Sequence, residues 1–202
     1  VVISNDTAYL QSVGRSIVSC YQEGNACYLP SDKVFRIIQV VKGNQSIVGA
    51  KDFTANIGDK LVKFPAVSTS GLPLTVASSD LSVAYFQNDS IVLAGIGVAT
   101  FTISQPGNEN YNPAPNMEMK VTVSKGDQTI PFLSNDTVYY GGGTSQLLAT
   151  SSAGLSVSIE SLNPEIVDIS NGIVSAKAVG NARIKLTQPG NEYWSAAPEL
   201  IV

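Results

Sequence analysis

Side-chain chemistry in this sequence is sparse, and what there is sits at a few marked positions. Asn5-Asp-Thr7, Asn88-Asp-Ser90 and Asn135-Asp-Thr137 each read as an Asn-x-Ser/Thr acceptor of N-linked sugar. The competing reading is that Asn-Asp simply makes turns. Cys20 and Cys27 are the two cysteines, and six residues separate them. At a strand end and in the following loop they fit a short disulfide in an exported protein. The alternative is two reduced residues, one of them buried as a small hydrophobe.

Other chemistries lack their parts. The chain has no histidine to serve as general base for a Ser or Cys nucleophile. Its 16 carboxylates are scattered, whereas glycosidic chemistry needs a pair roughly 5–9.5 Å apart in a cleft. No catalytic residue is therefore expected, and no cofactor. Two thiolates without histidine fall short of a zinc site. Asp52 and Asp127 form no multi-ligand calcium motif, so no metal is expected. The run Tyr139-Tyr-Gly-Gly-Gly-Thr144 lacks the Lys-Ser/Thr ending of a phosphate loop and reads as a flexible connection whose tyrosine pair could touch a ligand. Net charge is −4 with no basic cluster, which argues against nucleic acid as a partner. No apolar run approaches the ~20 residues of a membrane span, so no membrane insertion is expected. Val1-Val2-Ile3 does not read as a signal peptide.

The elements that position these residues recur with a period of 83. Gly24-Asn25, Gly107-Asn108 and Gly190-Asn191 mark it, Lys42-Gly43 returns as Lys125-Gly126, and Gln45-x-Ile47 returns as Gln128-x-Ile130. Gln105-Pro-Gly-Asn-Glu109 is repeated verbatim at Gln188–Glu192, and Tyr28 returns as Tyr111 and then as Trp194. A unit of this length is too long for a solenoid repeat and long enough to be a small domain. Setting the phase by Lys-Gly gives three pieces: 1–42, the last half of a module; 43–125, a complete module; and 126–202, a module lacking the end of its last strand. Both ends read as cut from a longer array.

Apolar residues alternate with period 2, which is a strand signature. Ala99, Phe101 and Ile103 form one inward row, Ala182, Ile184 and Leu186 another, with Ser16, Val18 and Cys20 in the same phase. Met117, Met119, Val121 and Val123 form the last row of the second module. Asn171-Gly172 predicts a tight hairpin with positive φ at both central residues, and Asn5-Asp6 and Asn88-Asp89 fill the same slot. Gly14, Gly97 and Gly180 mark unusual torsions ahead of the alternating strand. No capped amphipathic helix is present. About seven short strands per module, all antiparallel by loop length, predict an all-β, two-sheet Greek-key sandwich. Tyr28, Tyr111 and Trp194 are expected as core or loop-anchoring rings, with sugar stacking as the alternative.

The string Phe101–Pro115, with Lys125-Gly-Asp-Gln-Thr-Ile130, Tyr140-Gly141 and Ser152-Ala-Gly-Leu155, resembles the motifs of bacterial Ig-like repeats of secreted and cell-surface proteins. The resemblance covers the second and third modules and the tail half of the first, which departs at Ser31-Asp32. The second module departs at Ile57-Gly58, where the third has Tyr-Gly. It implies tandem Ig-like β-sandwiches on the outside of a bacterium, serving as non-catalytic spacers that hold another domain away from the envelope. It equally allows an adhesin module that binds a glycan or host protein through loops, or an accessory array of a secreted enzyme. In each acceptor string the hydroxyl residue also follows Asp and precedes an aliphatic residue, which resembles an O-glycosylation pattern of exported bacterial proteins and makes Thr7, Ser90 and Thr137 candidate sites. A half-sandwich at 1–42 is expected to dock on the second module, to self-associate through its open edge, or to be partly disordered.

Overall fold

The computed structural model describes residues 1–131 and 137–202. The first piece contributes β1 (Val2–Ser4), β2 (Thr7–Tyr9), β3 (Gly14–Cys20) and β4 (Val34–Val40). The second contributes β5 (Ile47–Val48), β6 (Phe53–Asn56), a 3-10 turn (Ile57–Asp59), β7 (Leu61–Lys63), β8 (Val67–Ser68), β9 (Thr75–Ser78), β10 (Ala84–Gln87), β11 (Ser90–Leu93), β12 (Gly97–Gln105) and β13 (Ala114–Ser124). The third contributes β14 (Thr144–Gln146), β15 (Ser158–Ser161), β16 (Val167–Ser170), β17 (Ile173–Ala176), β18 (Ile184–Thr187) and β19 (Leu200–Ile201). The protein is all-β, as the period-2 pattern requires.

The 83-residue offset maps strands onto strands. The sheet β10-β11-β7 returns as β16-β17-β14, and the run β13-β12-β9 returns as β19-β18-β15. In the first piece only β1-β2 and β3-β4 are present, the counterparts of β10-β11 and β12-β13. One pairing departs from the expected antiparallel order. β13 runs parallel to β6, with Val121 opposite Phe53 and Val123 opposite Ala55. The two strands lie far apart in sequence, so the long crossover that a parallel pair needs is available.

The hairpins follow their turn chemistry. Asn5-Asp6, Asn88-Asp89 and Asn171-Gly172 all have positive φ at both central residues, 47° and 59°, 48° and 55°, and 52° and 76°. Each joins two antiparallel strands through a two-residue loop: Ser4 faces Thr7, Gln87 faces Ser90 and Ser170 faces Ile173. Backbone twist of this kind matches the twist of the flanking strands. Gly14 and Gly97 take φ of 142° and 146°. Gly180 does not share that torsion; a Cβ there would meet Ile166 Cδ1 at 2.9 Å, so its reason is close packing.

Two compact units make up the chain: Val1–Asp52 with Phe64–Ser79 and Thr100–Met119, and Phe53–Lys63 with Asp80–Ala99 and Lys120–Val202. In the first, Phe101 and Ile103 are fully buried, and in the second Ile91, Ala99, Val121 and Leu186 are. Met117, expected in the inward row, is exposed, while Met119, Val121 and Val123 are buried. The third repeat is less deeply packed. β19 has two residues where β13 has eleven, so less of β18 is covered.

The hairpins give a direct test. Asp89 holds a left-handed conformation that costs an L-residue free energy and glycine nothing. Asp89→Gly should stabilise the protein by about 0.5 kcal/mol. Gly172→Val should cost about 1–3 kcal/mol, because its Cβ also meets the Leu147 carbonyl oxygen at 3.0 Å. Urea denaturation of the two variants reads both signs.

Candidate functional site

The Gly-Asn segment folds into a self-contained loop in all three copies, two of which share the string Gln-Pro-Gly-Asn-Glu verbatim. Gly24, Gly107 and Gly190 have φ of 80°, 78° and 81°. The side-chain oxygen of the following Asn accepts two backbone N–H groups ahead of it: from Asn110 and Tyr111 onto Asn108 at 2.8 and 2.9 Å, and from Tyr193 and Trp194 onto Asn191 at 2.9 Å each. In the first copy Cys27 and Tyr28 donate to Asn25 at 2.9 and 3.0 Å. The backbone N–H of the same Asn in turn donates to the carbonyl of the aromatic residue, 2.9 Å for Asn25, 3.0 Å for Asn108 and 2.9 Å for Asn191.

In the second and third copies a Lys-Gly-x-Gln segment grips this loop from far along the chain. Lys42 Nζ donates to the Asn108 carbonyl at 2.7 Å, and Lys125 Nζ to the Asn191 carbonyl at 2.7 Å. Gly43 and Gly126 form parallel bridges to Tyr111 and Trp194. Gln45 Nε2 donates to Gln105 Oε1 at 2.6 Å and to the Asn112 carbonyl at 2.8 Å. Gln128 Nε2 donates likewise to Gln188 Oε1 at 2.8 Å and to the Ser195 carbonyl at 2.6 Å. Gln105 and Gln188 pass the bonding on, each from Nε2 to a carbonyl, Pro73 and Ser156, at 3.3 Å. All four glutamines are buried. A buried amide is stable only when its donors and acceptors are matched.

The two networks differ at one atom. Gln45 Oε1 accepts from the Ser70 hydroxyl. The residue 83 positions later is Ala153, and Gln128 Oε1 is buried without a partner among the described residues.

The aromatic rings explain the glycines. A Cβ on Gly43 would meet Tyr111 Cε1 at 3.2 Å, and a Cβ on Gly126 would run into the six-membered ring of Trp194. Trp194 reaches further: its Cη2 lies 3.0 Å from where a Cβ on Gly58 would stand. Gly58 is the middle residue of the 3-10 turn Ile57–Asp59 that Asn56 caps, with the Gly58 backbone N–H donating to Asn56 Oδ1 at 2.9 Å and the Asn56 backbone N–H to Asp59 Oδ2 at 3.1 Å. Tyr111 and Trp194 thus anchor loops. Tyr28 does not; it is 74% exposed, and its loop has no Lys-Gly-x-Gln partner among the described residues.

Cys20 and Cys27 are free and exposed, and no bond joins them. Thr7 is exposed on β2 and donates to the Asn5 carbonyl at 3.3 Å; Ser90, on β11, donates to the Asn88 carbonyl at 3.4 Å. Thr137 is exposed, and Asn135 of its acceptor string lies outside the described residues. These positions lie on separate elements and make no common site. Tyr139 and Tyr140 are both exposed, at 75% and 67%. Among the described residues no three His, Cys, Asp or Glu cluster as metal ligands, and no helix is long and apolar enough to cross a membrane. Among the carboxyls, Asp80 lies below its ordinary range, held there by the Ser82 hydroxyl at 2.6 Å and the Ser82 amide at 2.9 Å.

Comparison with known proteins adds little. No family model matches the sequence, and no curated protein matches it. Among solved structures the chain aligns with the D00-D0 domain of intimin over 78% of its length and 98% of that chain, at 15% identity and a TM-score of 0.29. That score is too low to assign a function.

Two outcomes are expected. Ala153→Ser should supply the missing donor to Gln128 and raise stability by about 1 kcal/mol, while Ser70→Ala should cost about 1–3 kcal/mol by orphaning Gln45 Oε1; thermal melts of the two variants check both signs. Native alkylation of purified protein should label both Cys20 and Cys27, with intact mass counting the adducts. A single adduct, or none, would show that the thiols are not both accessible as free groups.

Proposed function

We propose that this chain is a non-catalytic structural array of a bacterial cell-surface or secreted protein, made of 83-residue modules and serving to hold another domain away from the envelope. The observation that carries this reading is the seat of Trp194. Its ring rests on Gly126, at the start of the third repeat, and on Gly58, inside the second. A large ring wedged between two glycines has little rotational freedom, and the Lys125 bond to Asn191 closes the same joint. Joints of this kind suit a spacer, whose task is geometric. The bacterial, extracellular setting is supported by the Ig-like repeat motifs in the sequence.

A second reading rests on Tyr139 and Tyr140. Two exposed tyrosines in a glycine-rich run suit adhesion, because each offers a rigid apolar face with a polar tip. A glycan or protein ligand would engage them, and Tyr139→Ser with Tyr140→Ser would abolish that binding without changing stability.

The spacer reading is tested by NMR relaxation. Amides in residues 84–93 and 167–187 should share one rotational correlation time in the unaltered protein. Trp194→Ala should give the two groups separate, shorter times and lower the stability of the third repeat by roughly 2 kcal/mol. Independent tumbling in the unaltered protein would rule out a stiff joint.

A further inference from the structure

The glutamine clamps of the second and third repeats are built from the same residues, with one exception. Gln45, Ser68, Leu72 and Gln105 return 83 positions later as Gln128, Ser151, Leu155 and Gln188, while Ser70 returns as Ala153. The exception falls among hidden polar groups, because Gln128 is 3% exposed and Ser151 5%.

In the second repeat the Ser70 hydroxyl is a junction. It donates to Gln45 Oε1, lies 3.3 Å from Ser68 Oγ, and receives the Leu72 backbone N–H at 3.3 Å. Ser68 sends its own hydrogen to the Leu72 carbonyl at 2.6 Å. Gln45 Oε1 and both hydroxyls are thereby matched. In the third repeat the same junction has two loose ends. Gln128 Oε1 has no donor among the described residues. The Leu155 backbone N–H turns to Ser151 Oγ at 3.2 Å, and the Leu155 carbonyl accepts from the Ser151 backbone N–H at 2.9 Å. The Ser151 hydroxyl therefore accepts one bond, and among the described residues its hydrogen goes to no protein group. One unused acceptor and one unused donor remain, at the two points that Ser70 Oγ joins in the sister repeat.

Turning the Gln128 amide over does not cure this. Its Nε2 donates to Gln188 Oε1 at 2.8 Å and to the Ser195 carbonyl at 2.6 Å. The flipped amide would set an oxygen against both of those oxygens. Unmatched buried oxygens are rare in native proteins, which supply a partner from the chain or from ordered water.

We propose that the third repeat binds one structural water molecule between Gln128 Oε1 and Ser151 Oγ. The water donates one hydrogen to Gln128 Oε1 and accepts the Ser151 hydroxyl hydrogen, and so closes the junction that Ser70 closes in the second repeat. The site offers one acceptor and one donor, which suits a neutral molecule with both characters. A bare cation cannot take the Ser151 hydrogen, and the Leu155 N–H already points its positive end at the same oxygen. The water keeps van der Waals distance from the Ala153 methyl, so it lies further from that Cβ than Ser70 Oγ does from its own. Ala153 is half-buried, and nothing stands within 4 Å of where a Cβ on Gly154 would be. The loop thus gives the water a way in, and its second hydrogen faces the solvent side. The proposal concerns this site alone and stands whether or not the array is a spacer.

The test is a crystal structure of the unaltered chain at a resolution that shows ordered water, with two variants beside it. A water about 2.7–3.1 Å from both Gln128 Oε1 and Ser151 Oγ is expected, with none on Gln45 Oε1. Ala153→Ser should expel that water and place its own hydroxyl on Gln128 Oε1. Ser70→Ala should do the reverse and recruit one new water between Gln45 Oε1 and Ser68 Oγ. The unaltered chain decides the matter even if a variant does not fold. Ordered water on other buried groups with none at Gln128 Oε1 would overturn the proposal. So would a direct Ser151 to Gln128 bond, a rotated Gln128 that finds another protein donor, or density with the ligand shell of a metal ion.

Discussion

A primary amide hidden from water must find partners for two donors and an oxygen, and among the described residues four glutamines are hidden in two such pairs. Gln45 with Gln105, and Gln128 with Gln188, are where the opening segment of a repeat meets its closing loop. Each unmade hydrogen bond in such a place costs about 1–3 kcal/mol, so the pair tolerates one arrangement and few others. A sheet edge alone can slip by two residues and still bury the same face. The glutamine pair cannot, because Gln45 must reach both Gln105 Oε1 and the Asn112 carbonyl. Register is therefore fixed by polar groups at one end, and burial of Phe101, Ile103 and their neighbours then supplies most of the stabilisation.

The two copies reach the same end by different balances. The second repeat has a full amide network, with Ser70 on Gln45, and a smaller ring, Tyr111, on its glycine. In the third, Ala153 leaves Gln128 Oε1 without a donor, but Trp194 covers both Gly126 and Gly58. An indole has more apolar area to bury than a phenol ring. This is why Gly58 and Gly126 belong to the argument as much as the tryptophan does. Without open backbone at those two points the ring has no seat, whatever its size.

Much of the fold was legible in the sequence because its causes are local. Period-2 rows such as Ala99, Phe101 and Ile103 identify strands without reference to their partners, and Asn-Gly at 171–172 dictates its turn. Asn5-Asp6 and Asn88-Asp89 could be placed in the same turn because the period carried the inference across. The parallel pairing of β6 with β13 was not legible, since loop lengths between neighbouring strands say nothing about a pair made across the module. The glutamine network was half visible. Gln45, Gln128 and the repeated Gln105 to Glu109 string stood out as recurring letters, but a polar residue in a strand-rich repeat reads as surface until its partner is known. For the same reason the recurrence of Tyr28 shows a ring and a loop but not the distant Lys-Gly that gives Tyr111 and Trp194 their place.

The loop and the clamp differ in how far along the chain their bonds reach. Bonds inside the closing loop join residues two or three apart, and all three copies form them. The clamp joins residues 60 to 67 apart, and only copies with both ends present form it. Bringing such distant groups together costs loop-closure entropy that grows only slowly with length, so one such closure can hold an entire sandwich.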